Sequence, residues 1–229
     1  MPCNAVVDGS CSKLVLTDGA YDFNAPADFS VNSVCYDRNF TADKKVTVCL
    51  PFEVTATEMS DLGITAYEMT EYTSTGSIRF LPVEAMEANR PYVVTASGKV
   101  FEALSGKTVK ATDELSTAVE GLTFKGTMKR TVLSSDDNTV YYGYSTGQFV
   151  KVGGNVGVNP FRAYIIADSD LGNAVQVVFD TDGIYEVNGR TEANGIVFSI
   201  DGRRMGTSDN MSTLPKGMYI CNGTKFVVK

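Results

Sequence analysis

Short runs of β-branched and aromatic residues recur along the chain, separated by Gly, Asn, Asp and Ser. Runs of this kind, bounded by turn residues, predict strands at 14–17, 29–36, 45–50, 64–72, 77–82, 92–96, 99–101, 122–128, 139–144, 148–152, 163–167 and 174–179. Alternation is plainest in Val140, Tyr141, Tyr142, Gly143 and Tyr144, followed after Ser145-Thr146-Gly147 by Gln148 to Val152. That spacing predicts a hairpin with Tyr142 and Tyr144 on one face and Tyr141 on the other. Further strands are expected at 196–200, 217–221 and 224–229. Asp201-Gly202 supplies a turn, and Asn222-Gly223 joins the last pair, since both central residues of a type I′ turn need φ > 0.

Helix is scarce in the pattern. The best segment is 56–62, where Thr55 caps, Glu58 stands three residues on and Gly63 ends the turn. This is capping-box spacing with a glycine stop. A second single turn is expected at 84–89, ahead of Arg90-Pro91. The expected fold class is therefore all-β: an antiparallel β-sandwich, jelly-roll or immunoglobulin-like, with a small C-terminal β element. Residues 1–19 read as a lead-in or the remnant of a preceding region, 20–180 as the sandwich, and 195–229 as a β-tail. The polar, glycine-containing stretch between residues 179 and 195 marks the boundary.

Composition narrows the chemistry. The chain has 229 residues, is 43% hydrophobic and carries a net charge of −7. That balance argues against nucleic acid or an anionic membrane surface as partner. No apolar run approaches the length of a membrane-spanning helix. Met1-Pro2-Cys3-Asn4 lacks the basic flank and apolar stretch of a signal peptide. An exported protein with this sequence would be part of a longer precursor.

There is no histidine and no tryptophan. Absence of histidine removes Ser-His-Asp and Cys-His catalysis and His-ligated zinc. Carboxylate-pair hydrolysis needs only Asp and Glu. Glu53, Glu58, Glu68 and Glu84 are available for it, but no spacing singles out a pair. Five cysteines (Cys3, Cys11, Cys35, Cys49, Cys221) form no C-x-x-C unit, so no zinc site is expected. Cys3 and Cys11 flank a turn and suit a local disulfide. Cys35, Cys49 and Cys221 read as small buried thiols, with Cys35 and Cys49 on the arms of one hairpin.

The tail residues Asp201-Gly202-Arg203-Arg204, Leu214, Lys216-Gly217-Met218-Tyr219-Ile220, Asn222-Gly223 and Val227-Val228-Lys229 resemble the C-terminal tails of secreted and surface-attached proteins of the Bacteroidales. Cys221 departs from that pattern, which usually has an aliphatic or small residue there. A module common in the same surface proteins is similar to the segment 25–167. Its landmarks here are Ala27-Asp28-Phe29, Tyr36-Asp37-Arg38, Thr47-Val48-Cys49-Leu50-Pro51-Phe52 and Arg90-Pro91-Tyr92. They continue with Phe124-Lys125-Gly126-Thr127, Tyr141-Tyr142-Gly143 and Asn159-Pro160-Phe161-Arg162-Ala163-Tyr164-Ile165. The resemblance implies an extracellular or outer-surface location and an adhesin-type protein with a sorting tail. Host matrix, cell-surface or glycan partners would follow.

Candidate site residues are few. Tyr141, Tyr142, Tyr144 and Phe149 on one hairpin would offer stacking surface for sugar rings if exposed; core packing accounts for one face of them without a ligand. Asp168, Asp170, Asp180 and Asp182 imitate the start of a calcium loop, yet no glutamate follows at the required distance, and aspartate also favours turns. No metal and no cofactor is therefore expected. Arg38 and Arg162, in apolar surroundings, read as register-fixing ion pairs with Asp37, Glu53 or Asp28. The expected function is a non-enzymatic adhesion or scaffold module of a bacterial surface protein. Alternatives are a carbohydrate-binding module of a larger glycan-processing protein and an export-sorting domain without its own ligand.

Overall fold

Period-two alternation places one set of side chains on each face of a strand, and here several strands bury both faces. The computed structural model describes residues 6–112, 115–136, 139–179, 184–186, 196–201, 203–207, 214–221 and 224–228. The chain divides into two compact units, Met1–Phe179 and Asp180–Lys229.

The first unit contains β1 (Ser10–Thr17), β2 (Phe29–Asp37), β3 (Lys45–Cys49), α1 (Ala56–Asp61), β4 (Thr65–Tyr72), β5 (Ser77–Val83), β6 (Pro91–Thr95) and β7 (Leu104–Val109). It continues with β8 (Ser116–Val119), β9 (Leu122–Thr127), β10 (Thr131–Leu133), β11 (Val140–Ser145), β12 (Gln148–Lys151), β13 (Val156–Val158), β14 (Arg162–Ala167) and β15 (Ala174–Phe179). A ten-stranded sheet runs β3-β6-β4-β5-β15-β12-β11-β14-β9-β8, beside a three-stranded sheet β1-β2-β7 and a ribbon β10-β13. The all-β, sandwich-like class holds. Pairing is mainly antiparallel, but β1 runs parallel to β2, and β15 parallel to β5.

Strand β6 shows how the layers are built. Tyr92 and Val94 join the core under the three-stranded sheet, with Val34, Tyr36, Phe101 and Phe161. Val93, pointing the other way, joins Phe80, Phe124, Tyr142, Phe149 and Ile165 inside the curled large sheet. A strand buried on both faces has no polar alternation, which is why 92–96 reads as one continuous apolar run.

Several expectations need correcting. Residues 1–19, read as a lead-in, contain β1, which is hydrogen-bonded along its length to β2. Residues 99–101 form no strand; Phe101 is fully buried in irregular chain whose carbonyl accepts from Tyr36 N at 2.8 Å. The actual strand is β7, hidden in the sequence by Ser105, Lys107 and Thr108. No helical turn forms at 84–89, because Met86 makes an isolated bridge with Val54. Cys35 and Cys49 are not on one hairpin: β2 and β3 belong to different sheets. Cys49 and Cys221 are buried unpaired thiols, while Cys35 is half-buried. Cys11 is buried, and its Sγ donates to Lys13 O; Cys3, its suggested partner, lies outside the described residues.

The helix forms where the pattern places it. Thr55 Oγ1 accepts from Glu58 N at 3.3 Å, while Glu58 Oε2 accepts from Thr55 N at 2.8 Å, completing the capping box. Gly63 follows the Leu62 cap at φ +63°. Its six residues are the only helix among the described residues, so no described helix is long enough to cross a membrane.

The second unit contains β16 (Ile184–Glu186), β17 (Ile196–Ser199), β18 (Arg204–Thr207), β19 (Gly217–Cys221) and β20 (Thr224–Val228), ordered β16-β20-β19-β17-β18. Val197, Tyr219, Cys221 and Phe226 form its core. Pairing of Cys221 with Thr224 leaves a two-residue connection, as the Asn222-Gly223 signal predicts; those two residues lie outside the described set.

Candidate ligand-binding cleft

The large sheet curls until its edge strand β3 meets the opposite half of the same sheet. Cys49 N donates to Phe161 O at 3.0 Å, and Ala163 N donates to Thr47 Oγ1 at 3.1 Å. Close approach requires Gly126 on β9: a Cβ there would collide with Cys49 Sγ and lie 2.8 Å from Cys49 Cβ. Where β3 leaves this seam, a cleft of about 700 Å³ opens between the start of β3, the β11–β12 turn, the start of β14 and the end of β15. The mouth of a curled sheet is a usual place for a ligand site.

The turn at its rim is two residues long. Thr146 and Gly147 have φ of +49° and +87°, the sign a type I′ connection demands at both central positions. Strand β11 then aims Tyr142 and Tyr144 inward at successive depths. Tyr142 is fully buried, its hydroxyl accepting from Leu171 N at 2.8 Å and lying 3.2 Å from Gly172 O and 3.3 Å from Asp170 Oδ1. Tyr144, nearer the mouth, lines the cleft and stacks edge-on against Phe149 with centroids 5.1 Å apart. Its hydroxyl has no hydrogen-bond partner among the described residues, and burial pushes its pKa up to about 12.

The condition for sugar stacking, a row of exposed aromatic rings, is not met. Tyr142 and Phe149 are core residues, and Tyr141 packs on the opposite face beside Tyr164, Leu133 and Val152. Both faces of β11 are covered, one by the inside of the curled sheet and the other by the β10-β13 side. Of the four aromatic candidates, Tyr144 alone lines the cleft.

Arginine pairing also differs from expectation. Arg162 and Arg38 converge on Asp18, at the end of β1. Arg162 Nε and Nη2 donate to Asp18 Oδ1 and Oδ2 at 3.1 and 2.6 Å, and Arg38 Nε lies 3.8 Å from Oδ2. Arg38 Nη1 donates to Thr47 O at 2.9 Å. Asp37 and Asp28 instead hold Lys99 and Lys110. Asp18 was hidden because Thr17-Asp18-Gly19 reads as an ordinary turn. The result is a fixed guanidinium pair on the cleft wall, with Lys44 and Lys45 beside it. Lys45 Nζ sits 4.7 Å from the centroid of the Phe179 ring and 5.7 Å from that of Tyr67.

Two of the four carboxylates considered for hydrolysis are engaged elsewhere. Glu58 serves the capping box and Lys107, and Glu68 faces Arg90 at 3.7 Å. Asp170 holds Lys151 at 2.7 Å; that bond and the one from Gly172 N keep its carboxyl below the ordinary range. No cluster of three or more His, Cys, Asp or Glu suited to a metal occurs among the described residues. Asp180 and Asp182 lie outside them. No family model, curated protein or solved structure matches the chain, so its site is read from its own residues.

Proposed function

We propose that this chain is a non-enzymatic extracellular binding module of a bacterial surface protein, in an adhesion or scaffold role, and that the cleft beside β3 receives its ligand. One observation carries this reading. An open cleft brings four cationic side chains and an aromatic wall together, with Asp43 the one carboxylate among the described residues of its lining. Glycoside hydrolysis needs two carboxylates flanking the bond, whereas recognition needs only fixed charge and surface. The aromatic wall also favours the second reading, a carbohydrate-binding module of a larger glycan-processing protein.

Retention on a panel of matrix proteins, cell-surface preparations and immobilised glycans tests the proposal. Retention on at least one class, reduced by Lys44→Gln and Lys45→Gln together, is the expected result. Failure to be retained anywhere on the panel, or turnover of a panel member, would overturn it.

A further inference from the structure

The cleft carries a charge that the molecule as a whole does not. The chain is at −7, yet Arg38, Lys44, Lys45 and Arg162 line this cleft, against Asp43 in the lining and Asp18 behind it. Four cations against two carboxylates leave an excess of two positive charges. Lys44 and Lys45 form no ion pair among the described residues, and Lys45 rests on an aromatic face instead. Arg162 spends Nε and Nη2 on Asp18, which leaves Nη1 without a hydrogen bond among the described residues. A guanidinium oriented by a carboxylate behind it and presenting its remaining N–H groups forward is pre-organised for a second anion.

Size and walls set the rest of the ligand. A space of about 700 Å³ suits a ring-sized organic molecule, and a bare inorganic anion fills little of it. Val46, Val177 and Phe179 supply apolar surface, Tyr144 adds its ring, and the exposed Ser145 and Thr146 bring hydroxyls to the same opening. An apolar anion leaves these hydroxyls unmet; a pyranose has an apolar face and hydroxyls of its own.

We propose that the cleft binds a sugar ring bearing a carboxylate or a sulfate, with the anion against Arg162, Lys44 and Lys45 and the ring against Phe179 and Tyr144. This rests on the binding-module reading and names its ligand class.

The test is an NMR titration of the full chain with glucuronic acid, N-acetylneuraminic acid and galactose 6-sulfate, alongside glucose, galactose and sodium phosphate. Saturable shifts confined to residues 44–47 and 144–147 are expected with at least one acidic sugar. The carboxylated and sulfated arms identify which anion is preferred. The neutral sugars should bind at least about tenfold more weakly, and Lys45→Gln should cost the acidic sugar about tenfold. Arg162→Gln should do the same. The exposed Lys44→Gln keeps the test decisive if that variant misfolds. Equal binding of neutral sugars, equal shifts with phosphate, or no saturation by any acidic sugar would overturn the inference. If the chain is still retained on the wider panel in that case, the module reading survives without it; if it is not, both fall.

Discussion

Asp18 and Arg162, 144 positions apart in sequence, are joined side-on by two hydrogen bonds of 3.1 and 2.6 Å. This fork ties the end of β1, in the three-stranded sheet, to the start of β14, in the ten-stranded one. Arg38 stands on the same carboxylate and is nearly buried, so Asp18 is shared between two guanidinium groups.

Replacing Asp18 by Asn leaves Arg38 buried without a counter-charge. Breaking a fully buried pair costs roughly 3–5 kcal/mol. With Asp18 at 21% and Arg162 at 35% exposure, solvent screens part of this. The expected loss is about 2 kcal/mol, read as a lower urea midpoint at pH 7. An unchanged midpoint would show that the fork contributes nothing to stability.

Tyr36 lies on the same cluster, its hydroxyl 3.4 Å from Asp18 Oδ1. Burial pushes its pKa up to about 12, with Arg38 opposing and Asp18 adding to the rise. The folded form holds this proton more tightly than the unfolded chain, whose tyrosines titrate near 10. The contribution is therefore complete below about pH 10 and disappears as pH rises toward 12. A shift of about two units corresponds to about 3 kcal/mol. Tyr36→Phe should lose less stability than the parent between pH 9.5 and 12 in urea titrations. Identical pH profiles would refute the assignment.

Gly126→Ala tests the seam. The added methyl meets Cys49 Sγ and Cβ, and Cys49 is fully buried, so strand β3 must move. Overpacking of this kind costs about 1–3 kcal/mol. Cys49→Ala removes the sulfur and should recover part of that loss, giving a clear non-additive coupling in a double-mutant cycle. Strict additivity of the two changes would mean that β9 and β3 are not in contact.

Glu58 does two jobs, completing the capping box of α1 and accepting from Lys107, which is nearly buried on β7. Desolvation raises its pKa, but hydrogen bonds from Lys107 and Thr55 outweigh it, and the net shift is downward. Its contribution is thus present above the unfolded carboxylate value near 4.3 and is lost as pH falls through the lowered folded value. Glu58→Gln keeps the cap geometry and removes the charge opposite Lys107. It should destabilise by about 1–3 kcal/mol at pH 7. That difference should shrink as pH falls and the parent glutamate takes up its proton through its lowered folded value. Thr55→Ala should cost about 1 kcal/mol throughout that fall in pH.

The first unit has its own sheets and two large buried clusters, so a chain ending at residue 179 should fold alone. A single cooperative urea transition and a β-type circular-dichroism spectrum are expected; a molten or insoluble product would contradict this. The same truncation in a native cell examines the sorting reading, under which surface delivery is lost while the fold is kept.

Local chemistry was legible in the residues themselves. The capping box at Thr55 and Glu58 and the β11–β12 hairpin depend on contacts within a few positions, so spacing alone determines them, although Ser145, read as part of the loop, pairs with Gln148 and leaves a two-residue turn. The all-β class follows for the same reason, from alternation repeated between turn residues. Long-range choices were decided only by the tertiary structure. Asp18 became the partner of Arg38 and Arg162 because a parallel β1–β2 pairing carries it there. Tyr142 and Phe149 became core because the ten-stranded sheet curls around them, and the cationic cleft exists because β3 is drawn across β9 and β14. Alternation tells which residues share a face, but what covers that face depends on strand order, and strand order is set by packing between segments a hundred residues apart.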